Sequence, residues 1–426
     1  MTSPAAFFAS RPHRRTVAAL AAALLLAACS SATEPHGPPG ELTRLPRDLT
    51  GTEQQLIGAS NTFSFALWSK VSAAQPGKDV FLSPLSASFA LGMTLDGAAN
   101  QSFEQMRAAL QMSGMSQQDI NAGYKSLMAL LTSLDPGVTM RIANSIWYRQ
   151  DFPFAQSFLD DARTYFDAEV RGLDFKDSDG SSRIINGWVD RQTSGKVTKV
   201  IDGIDPDLVM FLINALYFKG SWRARFDPAQ TTNDVFTTAP GVTQPMRLMH
   251  RRGGMLYAET PAYQAVDLPY GNGAFTMTLL LPKPETDVET VSAGLTGDSW
   301  RSLVESLDSA DVELALPRFT LSYERLLNDD LKALGMVAPF GDGADFTRMS
   351  SLGRQLYISF VKQNTFVKVD EEGTEAAAVT VVAVGVTSVG PRFHVMRIDR
   401  PFLFVIRERL SGTILFMGKV VAIPAG

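Results

Sequence analysis

The stretch DEEGTEAAAVTVVAVGVTSVG, residues 370–390, reads neither as an ordinary surface loop nor as an ordinary core strand. Asp370, Glu371 and Glu372 lead in, and Gly373-Thr374 offers a turn. The fifteen residues Ala376–Gly390 then carry no charge and are nearly all Ala, Val, Thr and Gly. Val and Thr favour extended backbone, yet a typical strand has only about five or six residues. Left exposed, such a run invites edge-to-edge pairing. A chain that keeps it needs a use for it.

The sequence on both sides is strand-like. Upstream, YISFVKQNTFVKVDEEG alternates apolar and polar residues, with Phe360, Phe366 and Val369 among the apolar set. Downstream, RPFLFVIRERLSGTILFMGKVV is two apolar runs around Leu410-Ser411-Gly412, a hairpin. Further upstream, DLVMFLINALYFKGSW (207–222) is almost continuously apolar, as expected of a strand covered on both faces. AVDLPY, FTMTLLLP and VELALPRFTLSYE add more strands. The first half is mostly helical in spacing. Leu56, Phe63, Leu67 and Val71 share a face, QSFEQMRAALQM (with Asn100 as a candidate cap) and GYKSLMALLTSL repeat the pattern, and TMRIANSIWYRQ interrupts it as a strand. Helices first and strands later, without regular alternation, give an α+β class.

The chain has 426 residues, 45% of them hydrophobic, and a net charge of −5. An acidic chain without a basic cluster gives no reason to expect nucleic-acid binding. The N-terminus is specific: RPHRR (11–15) is a basic flank, VAALAAALLLAA (17–28) an apolar run, and Cys29 follows. Twelve residues of helix span about 18 Å, too short for a hydrocarbon core of roughly 30 Å. The pattern is a secretory signal, and LAAC (26–29) resembles the lipobox in which a cysteine is lipidated and becomes the new N-terminus. Residues 1–28 are therefore expected to be a lipoprotein signal, residues 29–50, rich in proline, a lipidated Cys29 and tether, and residues 51–426 one domain. The expected location is the bacterial cell envelope or surface, or the extracellular space on release. Cys29 is the only cysteine, so no internal disulfide can form.

Catalytic signatures are missing. Of four histidines, only His250 and His394 lie outside the signal and tether. No G-x-S-x-G, H-E-x-x-H or P-loop occurs. GDS (297–299) sits in a polar turn before a helical pattern, and DSDG (177–180) lacks the downstream Glu of a calcium loop. The chain is not expected to be an enzyme or to need a cofactor or metal.

Five segments nevertheless converge. FLSPLS (81–86), NSIWYR (144–149), INALYFKGSW (213–222), VDEEGTEAAAVT (369–380) and RPFLFVIRE (400–408) resemble, in order and spacing, segments of the serpin family, and the resemblance runs from about Leu56 to Ile423. It implies three β-sheets, eight or nine helices and an exposed reactive loop near the C-terminus. It also implies irreversible inhibition of serine proteases, and of cysteine proteases in some relatives. The protease attacks the loop and forms an acyl-enzyme. The loop then inserts into the main sheet as a new strand before the ester can hydrolyse, leaving a covalent complex. Such a native state is metastable.

The resemblance assigns roles by residue. Gly373 matches the hinge, where the backbone must bend. Thr374, Glu375, Ala376, Ala377, Ala378, Val379 and Thr380 match the start of the inserting strand. Side chains alternate, so Thr374, Ala376, Ala378 and Thr380 are expected to face inward and Glu375, Ala377 and Val379 outward. Ser83, Ser86, Asn214 and Gln363 match the polar network under the parting sheet, the shutter. Gln363 stands where many relatives carry His. Trp222, Arg318 and Glu371 match the breach, where insertion starts, with Arg318 and Glu371 expected as an ion pair. Family spacing puts the scissile bond at Thr387–Ser388, with Val386 to Val389 all candidates. The absence of Arg, Lys or aromatics there points to elastase-like or subtilisin-like proteases. The protein is expected to be a monomer, with loop-into-sheet polymerisation as its failure mode. The alternative is a non-inhibitory, binding or chaperone-like member.

Overall fold

The computed structural model describes residues 40–374 and 393–423. Cys29, the inserting residues Glu375–Thr380 and the bait residues Val386–Val389, with Thr387 and Ser388, lie outside the described residues.

The first helix shows why the domain begins where it does. α1 (Gly51–Ala73) opens on a capping box: Glu53 N–H donates to Thr50 Oγ1 at 3.2 Å, and Thr50 N–H donates to the Glu53 carboxylate at 2.8 Å. The buried carboxylate also accepts from Arg47 and Ser126, and these donors, Arg47 first, hold it near a pKa of about 2 against the opposing effect of burial. Leu42, Leu45 and Leu49 pack on the core, and Leu42 N–H donates to Asn272 O at 2.8 Å. Packing therefore extends back to Gly40, ahead of the expected boundary at Gly51, because three leucines and one arginine in that stretch find partners.

After α1 come β1 (Val80–Leu82), α2 (Pro84–Gly97), α3 (Asn100–Ala109) and α4 (Gln117–Ser133). Next are β2 (Val138–Arg149), α5 (Gln156–Phe166), β3 (Glu169–Leu173), α6 (Ser178–Gln192) and β4 (Met210–Ser221). A run of strands follows: β5 (Thr232–Ala239), β6 (Val242–Glu259), β7 (Tyr263–Pro269) and β8 (Phe275–Pro282). The short helices α7 (Val288–Ala293) and α8 (Gly297–Ser306) precede β9 (Asp308–Pro317) and β10 (Phe319–Leu326). The chain continues through α9 (Asn328–Ala333), β11 (Lys362–Val369), β12 (Gly373–Thr374), β13 (His394–Arg397), β14 (Phe402–Glu408) and β15 (Ile414–Val420). The described residues thus hold nine α-helices in an α+β fold.

The smaller sheet has strand order β10-β11-β12-β4-β2-β3. The larger runs β1-β15-β14-β8-β7-β6-β9-β13, with β5 on β6. β6 explains how three expected strand groups become two hydrogen-bonded networks. It pairs with β5 and β9 along most of its length, and its last four residues pair with β7. VELALPRFTLSYE, which reads as one strand, breaks at Pro317-Arg318 and feeds β9 to the larger sheet and β10 to the smaller.

Local details differ instructively from the sequence reading. Asn100 is not a cap. It is the first residue of α3 at φ 51°, and its amide donates to Asp345 at 2.8 Å. Asp177 of DSDG caps α6 by accepting from Gly180 N–H at 3.0 Å. Ser299 of GDS closes the capping box of α8 with Thr296. The main core lies between α1–α4 and the sheets, and a second cluster around Trp147, Phe175, Trp188 and Phe211 lies under α6.

Candidate functional site

The smaller sheet is interrupted at one place, where a two-residue strand separates β4 from β11. β11 ends at Val369, and the chain reverses at once: Asp370 N–H donates to Gly373 O at 3.0 Å and Gly373 N–H back to Asp370 O at 3.3 Å. The reversal carries β12 between β11 and β4. Thr374 lies opposite Val369 on one side and Gly220 on the other, both antiparallel. β4 and β11 therefore run in the same direction, and among the described residues they share no ladder with each other. Below β12 a cleft runs between Met210–Phe218 and Phe360–Phe366, floored by Ser86, Ala87, Ala90, Leu91 and Thr94 of α2.

Two glycines make the close approach at the mouth possible. A Cβ on Gly373, at φ 155°, would lie 2.1 Å from Gly220 O, and one on Gly220 would lie 3.0 Å from the Tyr270 ring. Trp222 roofs the mouth. Its indole N–H donates to Asp370 O at 2.9 Å, its backbone N–H to Glu372 O at 2.8 Å, and its ring stacks on Tyr270 at 4.5 Å. Thr374 Oγ1 is 2.7 Å from the Tyr270 hydroxyl, so this side chain faces inward.

Glu371 is the clasp. Arg318 Nε donates to its Oε1 at 2.7 Å, Thr231 Oγ1 donates to the same oxygen at 2.5 Å, and Phe226 N–H donates to Glu371 O at 3.0 Å. Burial alone would raise this carboxyl, but the Arg318 and Thr231 donors outweigh it and hold it below the ordinary glutamate range. The clasp thus ties the turn after β11 both to Arg318, at the β9–β10 break, and to the segment after β4.

A second polar set lies lower, about 20 Å along β4 at roughly 3.3 Å per residue. Ser83 caps α2, and its hydroxyl donates to Leu415 O at 3.0 Å. Gln363 of β11 grips the same residue twice: its Nε2 donates to Ser83 O at 2.7 Å, and its Oε1 accepts from Ser83 N–H at 3.0 Å. Ser86 donates to Asn214 Oδ1, Asn214 donates to Asn144 Oδ1 at 2.5 Å, and Asn144 donates to Phe166 O at 2.6 Å. The chain of hydrogen bonds runs from α2 through β4 and β2 to the end of α5. Buried amides and hydroxyls in such a chain must all be satisfied. The opposite side is held by Gln363 and by Thr365, whose hydroxyl donates to Phe81 O at 2.6 Å.

The structure thus brings together Ser83, Ser86 and Asn214 with Gln363 on Ser83, and, separately, Trp222, Arg318, Glu371, Gly373 and Thr374. Sequence reasoning missed Asn144, Thr231, Tyr270 and Thr365. Asn144 was legible in principle: it opens NSIWYR as a polar residue in an otherwise strand-like stretch, and register sets it opposite Asn214. The other three have no local signal, because their partners are remote in sequence.

Known proteins resemble the chain over most of its length. The profile of the family described as "Serpin (serine protease inhibitor)" matches residues 58–423. Serpin B6 of Bos taurus is 35% identical over 376 residues, which is 85% of this chain and 98% of that one. A serpin-like protein of Thermococcus kodakarensis is 32% identical over 381 residues, 87% of this chain and 86% of its own. Among solved structures, the native thermophilic serpin tengpin has a TM-score of 0.79 at 30% identity, covering 90% of this chain and 97% of that one. Human thyroxine-binding globulin has a TM-score of 0.80 at 26% identity, covering 88% and 100%.

Proposed function

Because the chain belongs to the serpin family, we propose that it is an irreversible, suicide-substrate inhibitor of serine proteases. Inhibition of serine proteases in general follows from the family, whose description is that of a serine protease inhibitor. Trapping by strand insertion is the finer reading. The observation that carries it is the position of Gly373–Thr374, already between β4 and β11, paired with Gly220 and Ser221 on one side and Val369 on the other. The next residues, Glu375 to Thr380, are small or β-branched apart from one glutamate, and strand alternation on insertion would put that glutamate on the outward face.

On this reading the protease attacks near Thr387–Ser388, within Val386–Val389, and becomes an acyl-enzyme. The cut frees the strand to follow Thr374 down the cleft, and the tethered protease is carried with it and distorted. Small aliphatic residues at the bait suit elastase-like or subtilisin-like pockets. The partner is the target protease alone, bound covalently by a monomer. Anchoring through a lipidated Cys29 would place the domain, from residue 40 onward, at the bacterial cell envelope.

Incubation with elastase or subtilisin, followed by denaturing electrophoresis, tests the reading. The expected result is a covalent complex that survives SDS. Clean loop cleavage without a complex would overturn it. That outcome would favour the non-inhibitory alternative, which has a fold neighbour in thyroxine-binding globulin, solved in complex with thyroxine.

A further inference from the structure

Trapping as proposed above requires the strand to insert in one register, and a slip of one residue would turn its inward face outward. One buried side chain stands where register is decided. Tyr270 is fully buried. Its ring lies between Trp222, stacked at 4.5 Å, and Phe218, edge-on at 5.0 Å. Its backbone is stitched in place, since Tyr270 N–H donates to Phe275 O and Gly271 N–H to Ser221 O, both at 2.9 Å. Among the described residues its hydroxyl has one partner, the Thr374 hydroxyl at 2.7 Å. Burial pushes the phenol above its ordinary range, so it stays protonated. A buried hydroxyl left without a partner is costly.

We infer that Tyr270 is a positioning residue that fixes the register of the inserting strand through the Thr374 hydroxyl. The neighbouring residues make the choice sharp. A slip of one residue brings Gly373 or Glu375 to the phenol. Glycine has no side chain to answer it, and glutamate would answer it only by bringing a charge into a buried site. A slip of two toward the loop brings Ala376, which again leaves the hydroxyl orphaned. Only Thr374 satisfies it, and Thr374 heads the face that also carries Ala376, Ala378 and Thr380.

The inference rests on the proposed function, and the test separates the two. Tyr270→Phe, Thr374→Val, the double variant and Thr374→Ser are compared with the wild type by the number of inhibitor molecules consumed per protease inactivated. Melting of the intact protein is measured in parallel. Each single variant is expected to consume about two- to tenfold more inhibitor, the range set by one hydrogen bond. The double variant should be no worse than the worse single, and Thr374→Ser should behave as wild type. An unchanged count in a folded Tyr270→Phe protein, or additive losses in the double variant, would overturn the inference. If Tyr270→Phe fails to fold, Thr374→Val carries the same comparison. If the wild type forms no covalent complex, the proposed function fails on its own. The inference is then read from the rate at which the loop-cleaved chain gains heat resistance. Slower gain in Tyr270→Phe supports it, and equal rates overturn it.

Discussion

Glu371 concentrates the control of the mouth in one carboxylate. Its pKa is held below the ordinary 4.5 by Arg318 and Thr231 against the effect of burial. A carboxyl whose pKa is lower in the folded state contributes stability that is complete above the ordinary value. That stability is lost as pH falls through the folded value. Acid should therefore loosen the clasp, from about pH 4.5 downward. We expect the intact protein to convert faster to a non-inhibitory form in this range. Glu371→Gln should convert faster already at neutral pH and lose most of the acid dependence. Residual inhibitory activity after timed incubation across pH measures both; an unchanged pH profile in Glu371→Gln would contradict the assignment. Gln363 works in the opposite sense. Its amide donates to and accepts from Ser83, and an amide does not titrate, so the lower network adds no pH dependence near neutrality.

At the scale of elements, the decisive object is the two-residue strand β12. Its first residue must be glycine, because a Cβ there would meet Gly220 O at 2.1 Å. Gly373→Ala is expected to displace β12 and convert the protein from inhibitor toward substrate. Protease assays should show at least tenfold more inhibitor consumed, about what 1.4 kcal/mol would do, with melting of the intact protein little changed. Register carries the same logic further. Thr374 lies opposite Gly220 and Val369, so an unbroken antiparallel continuation brings residue 380 opposite Asn214 and Gln363. Thr380, which lies outside the described residues, would deliver a hydroxyl to the lower network. Thr380→Val should therefore leave the intact protein unchanged and lower the stability of the loop-cleaved form by about 1 kcal/mol, read by denaturant titration of that form.

For the whole molecule, much was legible in sequence where physics is local. The apolar run 207–222 became β4, buried Val and Phe became the hairpin β14–β15, and helical spacing placed α1, α3 and α4. The α+β class followed from their order. What the sequence hid was long-range. The leucines at 42, 45 and 49 looked like tether because their partners are far along the chain. The split at Pro317-Arg318 is set by which sheet each half meets. Tyr270 sat unnoticed in AVDLPY because its role exists only once Trp222 and Thr374 reach it. The ion pair Arg318–Glu371 was readable only through resemblance, since the two residues are 53 positions apart.

The central claim is that residues after Thr374 are a strand held in reserve, so the intact fold is not the most stable one this chain can reach. Differential scanning calorimetry of intact and loop-cleaved protein tests it most directly. Filling the cleft between β4 and β11 adds a full ladder on both sides of the new strand. We predict that the cleaved form melts at least 20 °C above the intact form, a gain on the order of 15 kcal/mol for a domain of this size at about 2.1 cal/mol/K per residue. Equal melting temperatures, with cleavage verified within residues 385–390, would contradict the account.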